Sequence, residues 1–153
     1  MGSAVHARGL ADGGARVRVM ISLEMIGAFS DAKGSQTYPA VVGWFHPSTA
    51  NFVAVVGKWG QGGAVRDVAA GLRGGSPLPV EALSAPTFLP GVDFSDHRSF
   101  WANGYDAVMV TDTAFFRNPR YHTPQDTPDT LDYRRMAEVV KGVHCAVQAT
   151  ARR

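Results

Sequence analysis

Cysteine is almost absent from this chain of 153 residues, which contains only Cys145. A single cysteine excludes an internal disulfide and a cysteine zinc cluster, and its place in the last predicted helix is typical of a small buried side chain. No apolar run is long enough to cross a membrane, and the start MGSAVHARGL lacks a signal-peptide core. We therefore expect a soluble chain without membrane partners that stays where it is made, in the cytoplasm.

Clustered charge is also missing. The formal net charge is +2, and the basic residues are scattered apart from the pairs at 134–135 and 152–153, without interleaved aromatic residues. This pattern does not predict a nucleic-acid partner. Apolar residues make up 45% and charged residues 18% of the sequence, which is typical of a globular chain of one-domain length.

Stretches typical of strands alternate with stretches typical of helices. Strands are predicted at 15–25, 51–57, 78–86 and 105–111, and helices at 3–14, 62–75, 93–104 and 131–153. The alternation predicts an α/β fold, a layered mixed sheet of about four strands with flanking helices. Because average sheets have five or six strands, the sheet is expected to be part of a larger one. Residues 26–50 are predicted to form a long loop of the kind that is usually functional or poorly ordered.

Two helices carry more detailed expectations. Ser95 or Asp93 is the predicted N-cap of the third helix. The last helix is predicted to bury one apolar face. The residues of that face are Met136, Val139, Val140, Val143 and Val147.

Glu24 follows the apolar stretch VMISL, at the end of the first predicted strand. The carboxyl ends of such strands are where α/β sheets bind ligands. The alternative is that the strand has simply reached solvent.

His122 lies in the proline-rich stretch RNPRYHTPQDTPDTLDY, residues 117–133. Prolines forbid a regular helix or a central strand there, so the stretch is predicted to be a stiff loop around an imidazole. A metal-binding histidine needs a fixed ring and a partner for its second nitrogen, and Asp126 could be that partner. Tyr121 adds a phenol. The alternative is a loop histidine bonded to a backbone carbonyl.

Other polar motifs carry weaker signals. Asp96 is most simply a capping or helix-dipole carboxylate, and His97 a surface or packing residue. The remaining three histidines show no partner pattern and are interpreted as structural; they are His6, His46 and His144. Neither a G-x-S-x-G elbow nor an H-E-x-x-H motif is present, which argues against a serine hydrolase and a thermolysin-like site.

Several motifs resemble the zinc aminopeptidase family that also contains the glutaminyl cyclases. The similar stretches are MGSAVHA, MISLEMIG and the segment from FSDHRSFWANG to YHTPQDTPDTLDYRRMA. YHTPQDT is similar to the family's last metal-ligand motif, and SLEMIG to its preceding carboxylate motif. Ala28 and Asp106 depart from the common Tyr and Pro, and neither change affects a ligand.

The resemblance implies roles for particular residues. Glu24 would bind one zinc of a two-metal site and His122 the other, while Tyr121 would donate its phenol to the tetrahedral oxyanion. Asp126 would lie in the second shell, and Asp96 and His97 would line or brace the pocket. In such enzymes the metals polarise the scissile carbonyl and lower the pKa of bound water to roughly 7, and a glutamate takes its proton.

Part of the family pattern is missing. The family requires a His-x-Asp ligand motif, a carboxylate that bridges both metals and a Glu-Glu pair, whereas neither HxD nor Glu-Glu occurs in this sequence. Residues 1–153 are therefore expected to be a single partial domain, the C-terminal part of a zinc peptidase domain.

The resemblance implies a zinc-dependent hydrolase acting at peptide N-termini, inactive as the isolated chain. Two alternatives remain: a non-catalytic peptide-binding domain and a glutaminyl-cyclase-like acyl transferase. An uncovered sheet edge is also expected to drive self-association.

Overall fold

The computed structural model describes residues 2–152, without the side chains of residues 40 and 41. It contains a four-stranded sheet of order β1-β4-β2-β3, which confirms the predicted α/β class. The strands are β1 (Met20–Glu24), β2 (Val53–Lys58), β3 (Val80–Ala85) and β4 (Ala107–Thr111). The helices are α1 (Gly2–Asp12), α2 (Gly62–Gly75), α3 (His97–Trp101) and α4 (Tyr133–Ala151). In this described part no helix is both long and apolar enough to cross a membrane.

The sheet is mixed. β1 is parallel to β4, β4 is antiparallel to β2, and β2 is parallel to β3. β1 therefore lies at one edge, where Leu23 is 47% exposed. The predicted self-association through such an edge stays a prediction.

Alternating side chains divide the core into two clusters, one on each face of the sheet. Val53 and Val55 of β2 point to the face covered by α2 and α4. Ala54 and Val56 point to the opposite face, which α1, α3 and their neighbouring loops cover. The result is a three-layer arrangement with the sheet in the middle.

Two local predictions were wrong. β1 begins at Met20 instead of residue 15, since the preceding chain still turns away from α1 through the bond from Ala15 N to Leu10 O. The N-cap of α3 is Asp96, and its side chain makes no capping bond. Ser95 is instead hydrogen-bonded to Ser22 at 2.8 Å, and Asp93 lies 3.8 Å from Arg98.

The buried face of α4 also differs from the prediction. Val139, Gly142 and Ala146 are buried, whereas Val140 and Val147 are about half exposed. The cause is the close approach of α2, where a Cβ added to Gly71 would lie 2.4 Å from the Cα of Ala146. This contact requires small residues such as glycine and alanine, and these do not stand out in the apolar periodicity of the sequence.

Candidate active site

Glu24 ends β1 beside Thr111, which ends the parallel strand β4 in register with it. Ala54 of β2 pairs with Thr111, and Glu81 of β3 pairs with Ala54. Register partners on neighbouring strands point to the same side of a sheet. Glu24, Thr111, Ala54 and Glu81 therefore form one row across all four strands, on the face that carries α3.

Asp112, immediately after β4, holds the chain that follows Glu24. Its Oδ2 accepts from the backbone N–H groups of Gly27 at 3.0 Å and Ala28 at 2.7 Å, and its Oδ1 accepts from Ala114 N at 2.9 Å. Burial raises the pKa of Asp112, while these N–H groups and Arg117 act in the opposite direction. No role was predicted for Asp112 from the sequence, although it directly follows the continuous apolar run of β4.

Backbone strain is concentrated around the same place. Within residues 2–152, the non-glycine residues with positive φ are Met25, Thr113, Ala114 and His122. Three of them lie within two residues of Glu24 or Asp112, and the fourth, His122, is one of the two predicted metal ligands. Left-handed conformations cost roughly 1–2 kcal/mol for such residues, and strained residues cluster at functional sites.

The loop that carries Tyr121 and His122 is organised by the buried side chain of Asn118. Asn118 Nδ2 donates to Asp126 Oδ1 at 3.2 Å, and Asn118 Oδ1 accepts from Arg120 N at 3.0 Å. Asp126 thus braces the loop through Asn118, and its predicted contact with the imidazole stays a prediction. The ring of His122 is exposed and stacks on Tyr121 with centroids 3.9 Å apart.

Tyr121 and Glu24 line the same cavity on the α3 face of the sheet. Burial, and secondly the negative charge of Glu24, raise the pKa of Tyr121. The phenol therefore keeps its proton and remains a hydrogen-bond donor at the side of the cavity next to Glu24.

Apolar side chains form most of the cavity wall. Ala54, Val56, Leu83 and Met109 of the sheet lie on its floor, and Phe115 is on its rim. Further parts of the wall come from the loop at 26–50, from residues 89–94 and from residues 111–116. An apolar side chain of a ligand would be desolvated here.

The far end of the cavity is polar and consists of Tyr38, His46 and Glu81. His46 Nδ1 lies 2.9 Å from Glu81 Oε2, a partner that the sequence pattern around His46 did not show. Burial, and secondly the charge of Glu81, raise the pKa of Tyr38 to about 12. The partners are 35 residues apart in the sequence, so no local pattern could show the pair.

Arg117 fixes the long loop that brings Tyr38 and His46 to the cavity. Its Nε donates to Gln36 Oε1 at 2.8 Å, and its Nη1 donates to Phe52 O at 2.9 Å. The guanidinium also lies 4.5 Å from the centroid of the Phe52 ring. The predicted long loop is thus present and is tied to the sheet.

Asp96 and His97 lie apart from the cavity lining. Asp96 is exposed, whereas His97 is fully buried and its Nε2 lies 2.8 Å from Val92 O. Burial lowers the pKa of His97, so its ring is neutral. Of the two predicted roles for His97, packing describes its position, and the pocket roles of both residues stay predictions.

Across residues 2–152 no three His, Cys, Asp or Glu side chains come together as a metal cluster. Glu24 and His122 each offer a donor of the type that zinc takes, a carboxylate oxygen and an imidazole nitrogen. The two residues are linked through Tyr121, which shares the cavity with one and stacks on the other.

Comparisons with known proteins agree with this arrangement. Residues 74–147 match the model of peptidase family M28. The protein YfbL of Escherichia coli (strain K12) is 49% identical over 144 residues, which cover 94% of this chain and 44% of that protein.

Two solved structures share the fold. The LapA aminopeptidase of Legionella pneumophila matches 98% of this chain and 35% of its own, with a TM-score of 0.66 and 18% identity. An aminopeptidase from Aneurinibacillus sp. strain AM-1 matches 95% of this chain and 29% of its own, with a TM-score of 0.59 and 26% identity. The chain thus spans less than half the length of each of these relatives. The predicted similarity to the zinc aminopeptidase family is confirmed.

Proposed function

Because residues 74–147 match the model of peptidase family M28, we propose that the chain forms the substrate-binding side of a zinc-dependent aminopeptidase. The observation that supports this proposal is the shared cavity, which has a carboxylate, Glu24, and a protonated phenol, Tyr121, beside a mostly apolar wall. A peptide N-terminus carries the complementary groups: an amine, a carbonyl next to it and a side chain.

Glu24 and His122 are the zinc ligands in this proposal. When bound, zinc polarises a carbonyl and lowers the pKa of a coordinated water to roughly 7. Catalytic zinc sites keep about three protein ligands per metal, and this chain offers fewer. On its own, the chain is therefore expected to bind zinc weakly and to lack peptidase turnover.

Tyr121 is the hydrogen-bond donor of the site. Its raised pKa keeps the phenol protonated at neutral pH, so it can donate to an oxygen that gains negative charge as a peptide carbonyl is attacked. The stacked ring of His122 restricts the orientation of the phenol. The apolar floor below would hold the side chain of the N-terminal residue and exclude water from it.

The first experiment titrates zinc into the full chain and follows amide shifts by NMR. Weak binding is expected at Glu24 and His122, and His122→Ala should abolish the shifts around Tyr121. His144→Ala is the matched control, since His144 is exposed on α4 and should leave the titration unchanged. Shifts located elsewhere, or shifts that survive His122→Ala, would contradict the assignment of the ligands.

The same samples are assayed for aminopeptidase turnover with zinc present. No turnover is expected from the chain alone. Tight stoichiometric zinc together with turnover that His122→Ala abolishes would show that the chain builds a complete site by itself. Binding of peptides without any zinc response would instead favour a non-catalytic peptide-binding domain, which the cavity alone could support.

A further inference from the structure

We propose that Glu81, paired with His46, selects a basic side chain at the first residue of the peptide. This inference rests on the proposed function and extends it to a substrate class. The far end of the cavity is formed by Tyr38, His46 and Glu81, and among the described lining residues Glu81 is the second carboxylate besides Glu24.

The two carboxylates stand at opposite ends of the row that crosses the sheet. Glu24 lies on β1 and Glu81 on β3, with Thr111 and Ala54 between them. Three inter-strand spacings of ~4.8 Å place the two backbones roughly 14 Å apart. Between them Ala54 contributes only a methyl group, and both Ala54 and Thr111 line the cavity.

A lysine residue suits this distance. Its five bonds of ~1.5 Å between Cα and Nζ give an extended reach of roughly 6–7 Å. With the α-amino group near Glu24, the ammonium would approach the Glu81 carboxylate, since both glutamates have flexible side chains that shorten the gap. The aliphatic stem would lie on the apolar floor, as lysine stems commonly do.

Glu81 has the capacity to receive such a group. Its Oε2 is bonded to His46 Nδ1, and among the described residues no hydrogen bond engages Oε1. The Glu81 charge also acts on Tyr38, so a cation bound at Glu81 would lie close to an aromatic ring that lines the same cavity, which favours a cation–π contact. A leucine side chain would reach only the apolar wall and would leave this carboxylate without a partner from the ligand.

The test compares two ligands that differ only at the end of the side chain, L-lysinamide and L-norleucinamide. Both are titrated into the full chain and followed by NMR shifts of cavity residues. Lysinamide is expected to bind roughly tenfold more tightly, the order for a charge-assisted contact at a partly exposed carboxylate. In Glu81→Gln this ratio should fall to about one, while norleucinamide affinity changes less than about twofold.

Glu138→Gln is the matched control, because Glu138 lies on α4 in an ion pair with Lys141. It should leave both affinities unchanged. If norleucinamide binds in the cavity as tightly as lysinamide, or if Glu81→Gln leaves the ratio unaltered, the basic preference is overturned while the aminopeptidase proposal stands. If neither amide shifts the cavity residues, the proposed function itself is overturned, and the preference with it.

Discussion

Replacing Asp112 tests whether one buried carboxylate holds the end of β1 and so positions Glu24. Asp112 is 0% exposed, and its two oxygens accept from three backbone N–H groups, those of Gly27, Ala28 and Ala114. In Asp112→Ala all three donors lose their acceptor. The hydrogen bonds from Gly27 and Ala114 are buried, whereas the one from Ala28 is partly buried, so the Ala28 N–H group can be hydrated in the variant.

The expected loss follows from these contacts. Each buried donor left unsatisfied costs about 1–3 kcal/mol, so the two buried N–H groups together cost about 2–6 kcal/mol. Arg117 would also lose a nearby opposite charge. We expect Asp112→Ala to lower the free energy of unfolding by about 3–5 kcal/mol, a large part of the usual 5–15 kcal/mol.

Urea unfolding followed by circular dichroism and tryptophan fluorescence measures this change. Asp112→Asn serves as the milder variant, because it keeps one acceptor oxygen, and a loss of about 1–3 kcal/mol is expected. Asp12→Ala is the control, since Asp12 is exposed at the end of α1, and it should change stability by less than about 0.5 kcal/mol. A loss below about 1 kcal/mol for Asp112→Ala, at an unchanged urea slope, would refute the reasoning.

Three further predictions follow from burial and close packing. Tyr38 should ionise near pH 12 in an ultraviolet titration, and Tyr38→Phe should remove that late step. Because the pKa of Tyr38 is raised in the folded protein, the protonated phenol contributes fully to stability below about pH 10, and this contribution is lost as the pH rises to about 12. The pKa of His97 is lowered, so folding opposes its protonation, and the free energy of unfolding of the wild type should fall below about pH 6.5 by up to about 1.4 kcal/mol per pH unit. Urea unfolding at several pH values should show a flatter pH dependence for His97→Phe. Gly71→Ala should destabilise the folded protein by about 1–3 kcal/mol, because the added Cβ would meet the α4 backbone. Gly74→Ala, which has open space on the same helix, should stabilise it by up to about 1 kcal/mol. Equal shifts of the melting temperature in the two variants would contradict the close packing.

The secondary structure was predicted well wherever the local signal is strong. The bounds of α2 agree at 62–75, because glycine pairs mark both of its ends. β2 and β4 agree within two residues, since buried strands appear as continuous apolar runs. The face of α4 was predicted only in part: Val139 is buried and Val143 packs on the core, whereas Val140 and Val147 are about half exposed. The decisive contact is between small residues whose signal in the sequence is weak.

The site was only partly accessible from the sequence. Glu24, Tyr121 and His122 were predicted as site residues from motifs, and their roles stay predictions, while the structure links the three through one cavity and one ring stack. The polar far end of the cavity was not predicted. Glu81 lies in the same row across the sheet as Glu24, and this row exists because β4 and β2 lie between β1 and β3. Strand order is a property of the whole sheet, and no stretch of sequence around Glu81 encodes it.

The free edge of β1 connects assembly to the site, because the same strand carries Glu24 at its end. An unpaired edge strand exposes backbone donors and acceptors to other chains, and a lysine on such a strand opposes pairing. We expect the purified chain to self-associate and Leu23→Lys to shift it towards monomer in sedimentation velocity. Val147→Lys on α4 is the matched control, since Val147 is 49% and Leu23 47% exposed. Association weakened equally by both substitutions would indicate general hydrophobic contact, and a monomeric wild type would rule out pairing through β1.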